Sequence, residues 1–280
     1  MDGRAVRPVT FSLHMASLNE RAVVIVGGTT GLGLSAAKAC VAAGGRVVVS
    51  GRNADSVAMA QGLLGGAAVA VAADASDPTS AAMLIGTCEE RFGRFDGLYH
   101  VAGGSGRRMG DGPLHEITDD GWAATLQLNQ TTAFNSARAA CQAMLRRGTG
   151  GSILLMGSVL GSFPSSRFFA THAYAAAKSA VIGFARSCAG YYAPQGIRFN
   201  VIAPALVETP MAKRAAGNQA IVDFVHTKQP LDGGRIGQPE DLDAAVVWLL
   251  SDGSRFVTGQ QIIVDGGWSV SDGQIPAGSR

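Results

Sequence analysis

The chain has few cysteines and no arrangement that would pair them. Four cysteines lie about fifty positions apart, at Cys40, Cys88, Cys141 and Cys188. No two have the close spacing of a zinc site or of a small disulfide scaffold. The five histidines are equally scattered, without a His-x-x-x-His pair. We therefore expect reduced, mostly buried thiols in a cytoplasmic protein, and no protein-bound metal.

Excess charge and long apolar runs are also missing. The 23 basic and 21 acidic side chains give a net charge of +2, and Arg107-Arg108 and Arg146-Arg147 are isolated pairs rather than parts of a basic stripe. Nucleic acid and anionic membranes are therefore not expected as partners. The longest apolar runs fall far short of the ~18 residues that a membrane-spanning helix needs. Residues 1–18 lack the apolar centre of a signal peptide and are expected to form an N-terminal extension.

What the chain does contain is an alternation of short apolar runs and helix-length segments. Strands are predicted at 21–26, 46–50, 68–73, 97–101, 152–156, 198–203 and 261–264. Helices are predicted at 35–43, 53–64, 77–92, 118–146, around 174–192 and at 239–250. This alternation predicts right-handed crossovers and an α/β fold with a Rossmann-type, doubly wound parallel sheet of about seven strands. With 47% apolar residues and no break in composition, residues 19–270 should form a single domain, followed by a tail at 271–280.

A glycine-rich turn follows the first predicted strand. Its sequence is Gly27-Gly-Thr-Thr-Gly31-Leu-Gly33. Glycines between a strand and a helix allow a tight turn, let the backbone approach a ligand, and direct the helix N-terminus at a phosphate. In a chain with 38 glycines, an ordinary strand-to-helix turn is an equally good interpretation of this spacing alone.

Polar and glycine residues follow six of the predicted strands. These positions are Gly27 to Gly33, Arg52, Asp74 and Ala75, Ala102 and Gly103, Ser158, and Pro204 to Thr209. In a doubly wound sheet the ligand lies beyond the carboxyl ends of the strands. The residues therefore converge on one edge, which favours a dinucleotide site there.

Tyr174 and Lys178 are four positions apart in a helix-forming run, so their side chains share one helix face. A cation beside a phenol stabilises phenolate and lowers the phenol pKa, which would make Tyr174 a usable acid or base. As an isolated pair, this spacing is more often incidental than catalytic.

Together, these motifs resemble the short-chain dehydrogenase/reductase family over about residues 18 to 270. The resemblance is carried by Gly27-x-x-x-Gly31-x-Gly33, Asp74, Asn129, Ser158, Tyr174 and Lys178, with Val207-Glu208-Thr209 and Val264-Asp265-Gly266-Gly267 as further matches. It implies hydride transfer between a nicotinamide dinucleotide and a carbonyl or alcohol carbon. Tyr174 would transfer the proton, Ser158 would bind the reacting oxygen, Lys178 would lower the phenol pKa and hold the ribose, and Asn129 would bind a water of the proton relay. A turn serine and a solvated helix asparagine are the ordinary alternatives for Ser158 and Asn129.

The resemblance also assigns residues to the cofactor. They are Gly27, Thr29, Thr30, Gly31, Leu32, Gly33, Arg52, Asp74, Ala75, Ala102, Gly103, Tyr174, Lys178, Pro204, Val207 and Thr209. No carboxylate follows the second strand, and Arg52 stands where it could pair with a 2′-phosphate, so NADP(H) is predicted over NAD(H). An arginine can also stack on adenine without selecting phosphate. Asp74 would accept from the adenine amino group, or cap the next helix instead.

Three places depart from the family pattern: Val26, the run that begins at His100, and Ala205, which stands where the family has the glycine of a Pro-Gly pair. Val26 stands where the family usually has threonine, and His100 begins a run, His-Val-Ala-Gly, that replaces Asn-Asn-Ala-Gly. Both partners of a structural hydrogen bond are therefore expected to be lost together, a double loss that can be nearly neutral for stability.

Substrate selection is expected from two stretches, the aromatic link at 160–171 and a flexible-looking segment at 206–229 that could close as a lid. Their apolar residues favour a moderately hydrophobic carbonyl or alcohol as the small-molecule partner. Arg167 could hold an anionic group, although a solvated surface arginine is the commoner case. The resemblance implies a homodimer or homotetramer. A regulator that binds dinucleotide without turnover, and an epimerase or dehydratase on the same fold, are the alternative functions.

Overall fold

In the computed structural model, residues 17–165 and 167–274 are described, and they form one parallel sheet between two helical layers. The strands are β1 (Ala22–Val26), β2 (Arg46–Gly51), β3 (Ala68–Ala72), β4 (Gly97–His100), β5 (Gly151–Met156), β6 (Ile197–Pro204) and β7 (Gln261–Val264). Their order in the sheet is β3-β2-β1-β4-β5-β6-β7, and all neighbours are parallel. The predicted doubly wound α/β fold is confirmed.

Helices cover both faces of the sheet. They are α1 (Gly31–Ala42), α2 (Ala54–Leu64), α3 (Ser80–Phe92), α4 (Asp119–Leu126), α5 (Thr132–Arg147), α6 (His172–Tyr192), α7 (Lys213–Ala216), α8 (Gln219–Lys228) and α9 (Asp243–Leu250). Strand β1 shows why both layers are needed, because all five of its residues are buried. Val24 and Val26 pack with α3, α5 and α6, whereas Val23 and Ile25 pack with α1, α2 and α9. A strand buried on both faces is a continuous apolar run, as the sequence shows.

The long helix predicted at 118–146 is present from Asp119 to Arg147, but it is not regular throughout. A π turn at Gln127–Thr131 separates α4 from α5. The hydroxyl of Thr132 donates to the Leu128 carbonyl oxygen at 2.8 Å. Such a bond from a threonine to the carbonyl four residues earlier competes with the regular ladder and bends helices.

Other boundaries differ less. The helix predicted from residue 77 begins at Ser80, and the segment 206–229 contains helices α7 and α8. Leu18 is fully buried and its backbone N–H donates to the Ala43 carbonyl oxygen at 2.9 Å, so the packed region begins no later than this residue. The remainder of the predicted extension, residues 1–16, and residues 275–280 of the predicted tail lie outside the described residues. No helix between residues 17 and 274, residue 166 aside, is long and apolar enough to cross a membrane.

Candidate active site

A cavity of about 1010 Å³ extends along the carboxyl edge of the sheet. It joins the glycine-rich turn at one end to Trp268 and α7 at the other. The predicted site residues that line it are Gly27, Thr29, Thr30, Gly31, Leu32, Arg52, Asp74, Ala75, Ala102, Gly103, Ser158, Tyr174, Lys178, Pro204, Val207 and Thr209. Gly33 and Asn129 are buried and are not among the residues that line the cavity. The structure therefore brings together most of the residues that the sequence placed at separate strand ends.

The glycine-rich turn is crowded by backbone, which explains why glycine is required there. Gly27 has φ +88°, and a Cβ on it would lie 2.7 Å from the backbone nitrogen of Ala102. A Cβ on Gly33 would overlap the Gly27 carbonyl oxygen. The turn leads directly into α1, whose first turn carries no acidic side chain. A helix N-terminus that is open and free of negative charge fits the diphosphate of a dinucleotide.

Ser158, Tyr174 and Lys178 meet at the middle of the cavity. Lys178 is only 3% exposed, and its Nζ donates to the Met156 carbonyl oxygen at 2.9 Å. The same Nζ lies 5.6 Å from the centroid of the Tyr174 ring. Ser158 follows β5 in extended conformation, and its hydroxyl accepts from the Leu160 backbone N–H at 3.2 Å. Two ionisable side chains and one hydroxyl thus share a buried volume.

The pKa of Tyr174 differs from the expectation based on Lys178. Burial raises the pKa of the phenol, and the Ser158 hydroxyl opposes that shift without reversing it. Burial also lowers the pKa of Lys178 to about 8. The prediction of a lowered phenol pKa neglected desolvation, which disfavours phenolate and ammonium alike. Lys178 also directs its ammonium group to a carbonyl oxygen of β5.

Asn129 lies in the π turn and is bonded to protein on both sides of its amide. Its Oδ1 accepts from the Gly104 backbone N–H at 3.1 Å, and its Nδ2 donates to the Gly104 and Thr125 carbonyl oxygens at 2.9 and 3.0 Å. A Cβ on Gly103 would lie 2.8 Å from this Oδ1 and 3.6 Å from Lys178 Nζ. Asn129 and Lys178 therefore flank the same glycine, in a π turn of the kind that often marks a functional site.

His100 is a buried polar residue whose partners the sequence did not indicate. Its Nδ1 lies 2.9 Å from Ser136 Oγ, and its Nε2 lies 3.2 Å from Thr132 Oγ1. Because Thr132 donates its own proton to Leu128, Nε2 of His100 must be the donor to Thr132. Burial, with a smaller effect of the Lys178 charge, lowers the pKa of His100 to about 3, so the ring is neutral. The inferred loss of both hydrogen-bonding partners is thus only half right: Val26 is in the apolar core, but His100 bonds to α5.

Asp111 is a second residue that the sequence analysis missed. It is 5% exposed, and its carboxylate accepts from the backbone N–H groups of Ala173 and Tyr174, at 3.0 Å each. The carboxylate therefore caps the helix that carries Tyr174 and Lys178. An acidic residue in a glycine- and proline-rich loop gives no sequence signal of this role, because its partners are more than sixty positions away.

Arg52 and Asp74 lie at the end of the cavity nearest the glycine-rich turn, and both are exposed. Asp74 Oδ1 accepts from the Ser76 backbone N–H at 2.9 Å. This bond is the largest cause that lowers the pKa of Asp74, and the Arg52 charge adds to it. The turn role considered for Asp74 is present in the structure. Arg52 lines the cavity. Its neighbours at the end of β2, Gly51 and Asn53, carry no negative charge.

The opposite end of the cavity is aromatic. Phe169 and Trp268 line it, with ring centroids 5.6 Å apart, and Trp268 Nε1 donates to the Phe163 carbonyl oxygen at 3.1 Å. Phe168 packs against Phe224 of α8, with ring centroids 5.1 Å apart. The link at 160–171 and the segment at 206–229 therefore lie against each other at this end. Arg167 is exposed and is not one of the described lining residues.

Comparisons with known proteins agree with this arrangement. Residues 26–269 match a family model described as enoyl-(acyl carrier protein) reductase. The chain is 31% identical to L-rhamnose 1-dehydrogenase (NAD(P)(+)) of Azotobacter vinelandii, over 91% of this chain and 98% of that protein. It is also 31% identical to 2,5-dichloro-2,5-cyclohexadiene-1,4-diol dehydrogenase of Sphingobium indicum, over 91% and 99%.

A solved structure, that of a short-chain type dehydrogenase/reductase from Mycobacterium ulcerans, superposes with a TM-score of 0.83 at 31% identity. It covers 91% of this chain and 92% of that one.

Proposed function

Because this chain belongs to the short-chain dehydrogenase/reductase family and is an NAD(P)-dependent oxidoreductase, we propose that it interconverts a secondary alcohol and a ketone through Ser158, Tyr174 and Lys178. The observation that carries the proposal is the shared cavity, in which a crowded glycine turn and these three side chains line one continuous volume. Residues from the ends of six strands, β1 to β6, contribute to that volume.

The dinucleotide, when bound, supplies or accepts the hydride. The glycine turn and the N-terminus of α1 would hold its diphosphate, and Thr209 with the Val207 backbone would hold the carboxamide. Thr209 is suitably placed for this role because it lies beside the glycine turn, where its methyl group would be 3.5 Å from a Cβ on Gly31. We propose NADP(H) as the preferred cofactor, with NAD(H) as the second choice, since Arg52 can pair with a 2′-phosphate.

The chain's own residues would handle the proton. The Tyr174 phenol gives a proton to the substrate oxygen during reduction and takes it back during oxidation. The Ser158 hydroxyl donates to the same oxygen and helps most as negative charge develops there. The raised pKa keeps Tyr174 protonated until transfer, and the Ser158 hydroxyl, which lowers that pKa, favours the phenolate that remains afterwards. The Lys178 ammonium, 5.6 Å from the centroid of the ring, would add to this stabilisation. Asn129 fixes the Gly103-Gly104 backbone beside Lys178, where a water of the relay would bind.

For the substrate, we propose a moderately hydrophobic ring compound with a secondary hydroxyl or keto group. Phe169, Trp268 and Leu160 form an apolar wall near Tyr174, and apolar walls with few polar groups are typical of small-molecule sites. The names of two relatives support a ring, since one acts on a sugar and the other on a cyclic diol.

We also propose a cytoplasmic homodimer or homotetramer. Phe134 and Leu145 on α5 are 41% and 45% exposed, which leaves apolar surface on this outer helix. The four cysteines are free thiols, as expected in a reducing compartment. Light scattering coupled to gel filtration measures the assembly, and a monomer at micromolar concentration would contradict it.

The proposed chemistry is tested by following nicotinamide absorbance with a panel of cyclic ketones and alcohols. Tyr174→Phe should lower kcat by about 10²–10⁴-fold, the range typical of a lost general acid, while cofactor binding is retained. Tyr191→Phe, an exposed tyrosine on the same helix, is the matched control and should keep full activity. Turnover that survives Tyr174→Phe unchanged would refute the assignment, and no turnover of a broad panel would favour the regulator or the epimerase.

A further inference from the structure

Two arginines face the substrate end of the cavity from different elements. Arg107 lies in the 3₁₀ turn Gly106–Met109 after β4, and Arg214 lies in α7. Both line the cavity. Resting on the proposed function, we propose that its substrate carries a carboxylate or similar anionic group, held between Arg107 and Arg214.

Neither arginine has an acidic partner within the described chain. No carboxylate of residues 17–165 or 167–274 lies within 4.0 Å of either guanidinium. Asp111 is four positions from Arg107, but its two oxygens are bonded to the backbone N–H groups of Ala173 and Tyr174. Among the residues that the structure describes, the Arg107 guanidinium forms one hydrogen bond, to the Phe168 carbonyl oxygen at a long 3.5 Å.

Such an arrangement is unfavourable without an anion. Arg107 is half-buried, and burial is the largest cause that lowers its pKa, followed by the positive charge of Arg214. The negative charge of Asp111 opposes these two effects without cancelling them. Guanidinium groups remain charged in proteins, so the unfavourable energy persists at neutral pH. An anion between the two would relieve the repulsion and supply charge-assisted, bidentate hydrogen bonds.

The position of Arg107 points to substrate rather than to the cofactor. Its partner Phe168 belongs to the aromatic link and packs on Phe224 of α8, away from the glycine-rich turn. The cation near that turn is Arg52, which follows β2. An acid that enters beside Phe169 and Trp268 would place its ring on an apolar wall and its carboxylate at the two arginines.

Binding to the NADP⁺-loaded protein tests this proposal without requiring turnover. Calorimetric titration compares cyclohexanecarboxylate with cyclohexanecarboxamide, which has almost the same shape and no charge. The wild type should bind the carboxylate about tenfold or more tightly, as expected for charge-assisted bonds. In Arg107→Gln and in Arg214→Gln the two affinities should become about equal.

Arg108→Gln is the matched control, because Arg108 is exposed and is not one of the cavity-lining residues. It should keep the full preference for carboxylate. Equal affinities in the wild type, or a preference that survives Arg107→Gln, would overturn the proposal. So would an Arg214→Gln variant that loses NADP⁺ affinity while it keeps the carboxylate preference, because Arg214 would then serve the cofactor. For Arg107→Gln and Arg108→Gln, NADP⁺ binding and a melting temperature like those of the wild type establish that the variant is folded.

A kinetic comparison separates this proposal from the function on which it rests. 4-Oxocyclohexanecarboxylate and its primary amide are offered with NADPH, and kcat/KM for the acid should exceed that for the amide by about tenfold. Reduction of both at equal rates would refute the anion site and leave the oxidoreductase intact. Carboxylate-selective binding without reduction of any ketone would refute the proposed reaction and leave the anion site intact.

Discussion

The carboxylate of Asp111 is bonded to the backbone of Tyr174. Its Oδ2 accepts from the Tyr174 N–H at 3.0 Å across 63 positions of sequence, while Oδ1 accepts from Ala173. Helix α6 has no acidic residue in its own first turn. The negative charge that stabilises this helix end therefore comes from the loop after β4, the same loop that carries Arg107. The position of Tyr174 is thereby tied to the loop that carries Arg107.

Asp111→Asn should weaken both stability and turnover. Asparagine keeps one acceptor oxygen but loses the charge, and its amide NH₂ would face a backbone donor. We expect a loss of about 1–2 kcal/mol in the free energy of unfolding, the usual cost of a good cap. kcat should fall roughly tenfold or more as the phenol shifts. Asp119→Asn, at the exposed first residue of α4, is the control. If Asp111→Asn has the same urea unfolding midpoint and the same kcat as the wild type, Asp111 does not position Tyr174.

Arg52→Gln tests cofactor preference. If Arg52 pairs with the 2′-phosphate, kcat/KM for NADPH should fall about 10–100-fold, the equivalent of one hydrogen-bonded charge pair. The value for NADH should be nearly unchanged. Arg46→Gln, at the exposed opposite end of β2, should affect neither. Equal losses with both cofactors would indicate stacking on adenine, and a wild-type preference for NADH would contradict the NADP(H) assignment.

His100 should limit stability in acid. The folded-state pKa is about 3 and the ordinary value is 6.5. Below about pH 6.5 the His100 imidazole therefore binds a proton in the unfolded chain but not in the folded protein. The free energy of unfolding falls as pH decreases from there towards about pH 3. From about pH 7 to about pH 5, this group alone should cost roughly 2 kcal/mol.

His100→Gln keeps polar atoms for Ser136 and Thr132 but does not titrate, so urea unfolding at the two pH values should show a smaller loss than in the wild type. His115→Gln removes an exposed histidine, with a side chain that is 82% exposed, and should leave the loss as it is. Identical acid slopes in wild type and His100→Gln would exclude the buried ring as the cause.

Lys178 should change the stability of the protein at alkaline pH. Its folded-state pKa of about 8 lies below the ordinary 10.5, so the buried ammonium costs stability at neutral pH. Above about pH 8 the folded protein releases this proton before the unfolded chain does, and the cost disappears by about pH 10.5. The full effect is on the order of 3 kcal/mol.

In the cofactor-free protein, Lys178→Met should therefore remove a stability increase between about pH 8 and about pH 10. Lys38→Met, at an exposed position of α1, is the control for simple loss of charge. Denaturant midpoints measured in both variants across this range decide the matter, and parallel slopes for wild type and Lys178→Met would contradict the low pKa.

The sequence was sufficient for the sheet and for the residues along its edge. β-Branched runs such as 22–26 can be buried on both faces only in a covered parallel sheet, and strand ends then have to converge. Ser158 could be placed for that reason, whereas Tyr174 depended on its four-residue spacing with Lys178 on one helix. The π turn could not be predicted, because an apolar period near 3.6 does not distinguish a regular helix from one with a single wide turn.

Long-range polar contacts were also out of reach. Asp111 and His100 find their partners on α6 and α5, and no local spacing signals such bonds. The pKa of Tyr174 was predicted in the wrong direction because burial cannot be judged from a pair of residues. The sequence shows which side chains can carry charge, but the desolvation of each of them depends on the folded structure.

The indole of Trp268 donates to the Phe163 carbonyl oxygen across 105 positions of the chain. Trp268 follows β7, the last strand, whereas the glycine-rich turn precedes residue 34. The aromatic end of the cavity therefore exists only when the segment after β7 is packed against the link that precedes α6. Closing a loop of this length costs more conformational entropy than closing a local turn such as the one between β1 and α1.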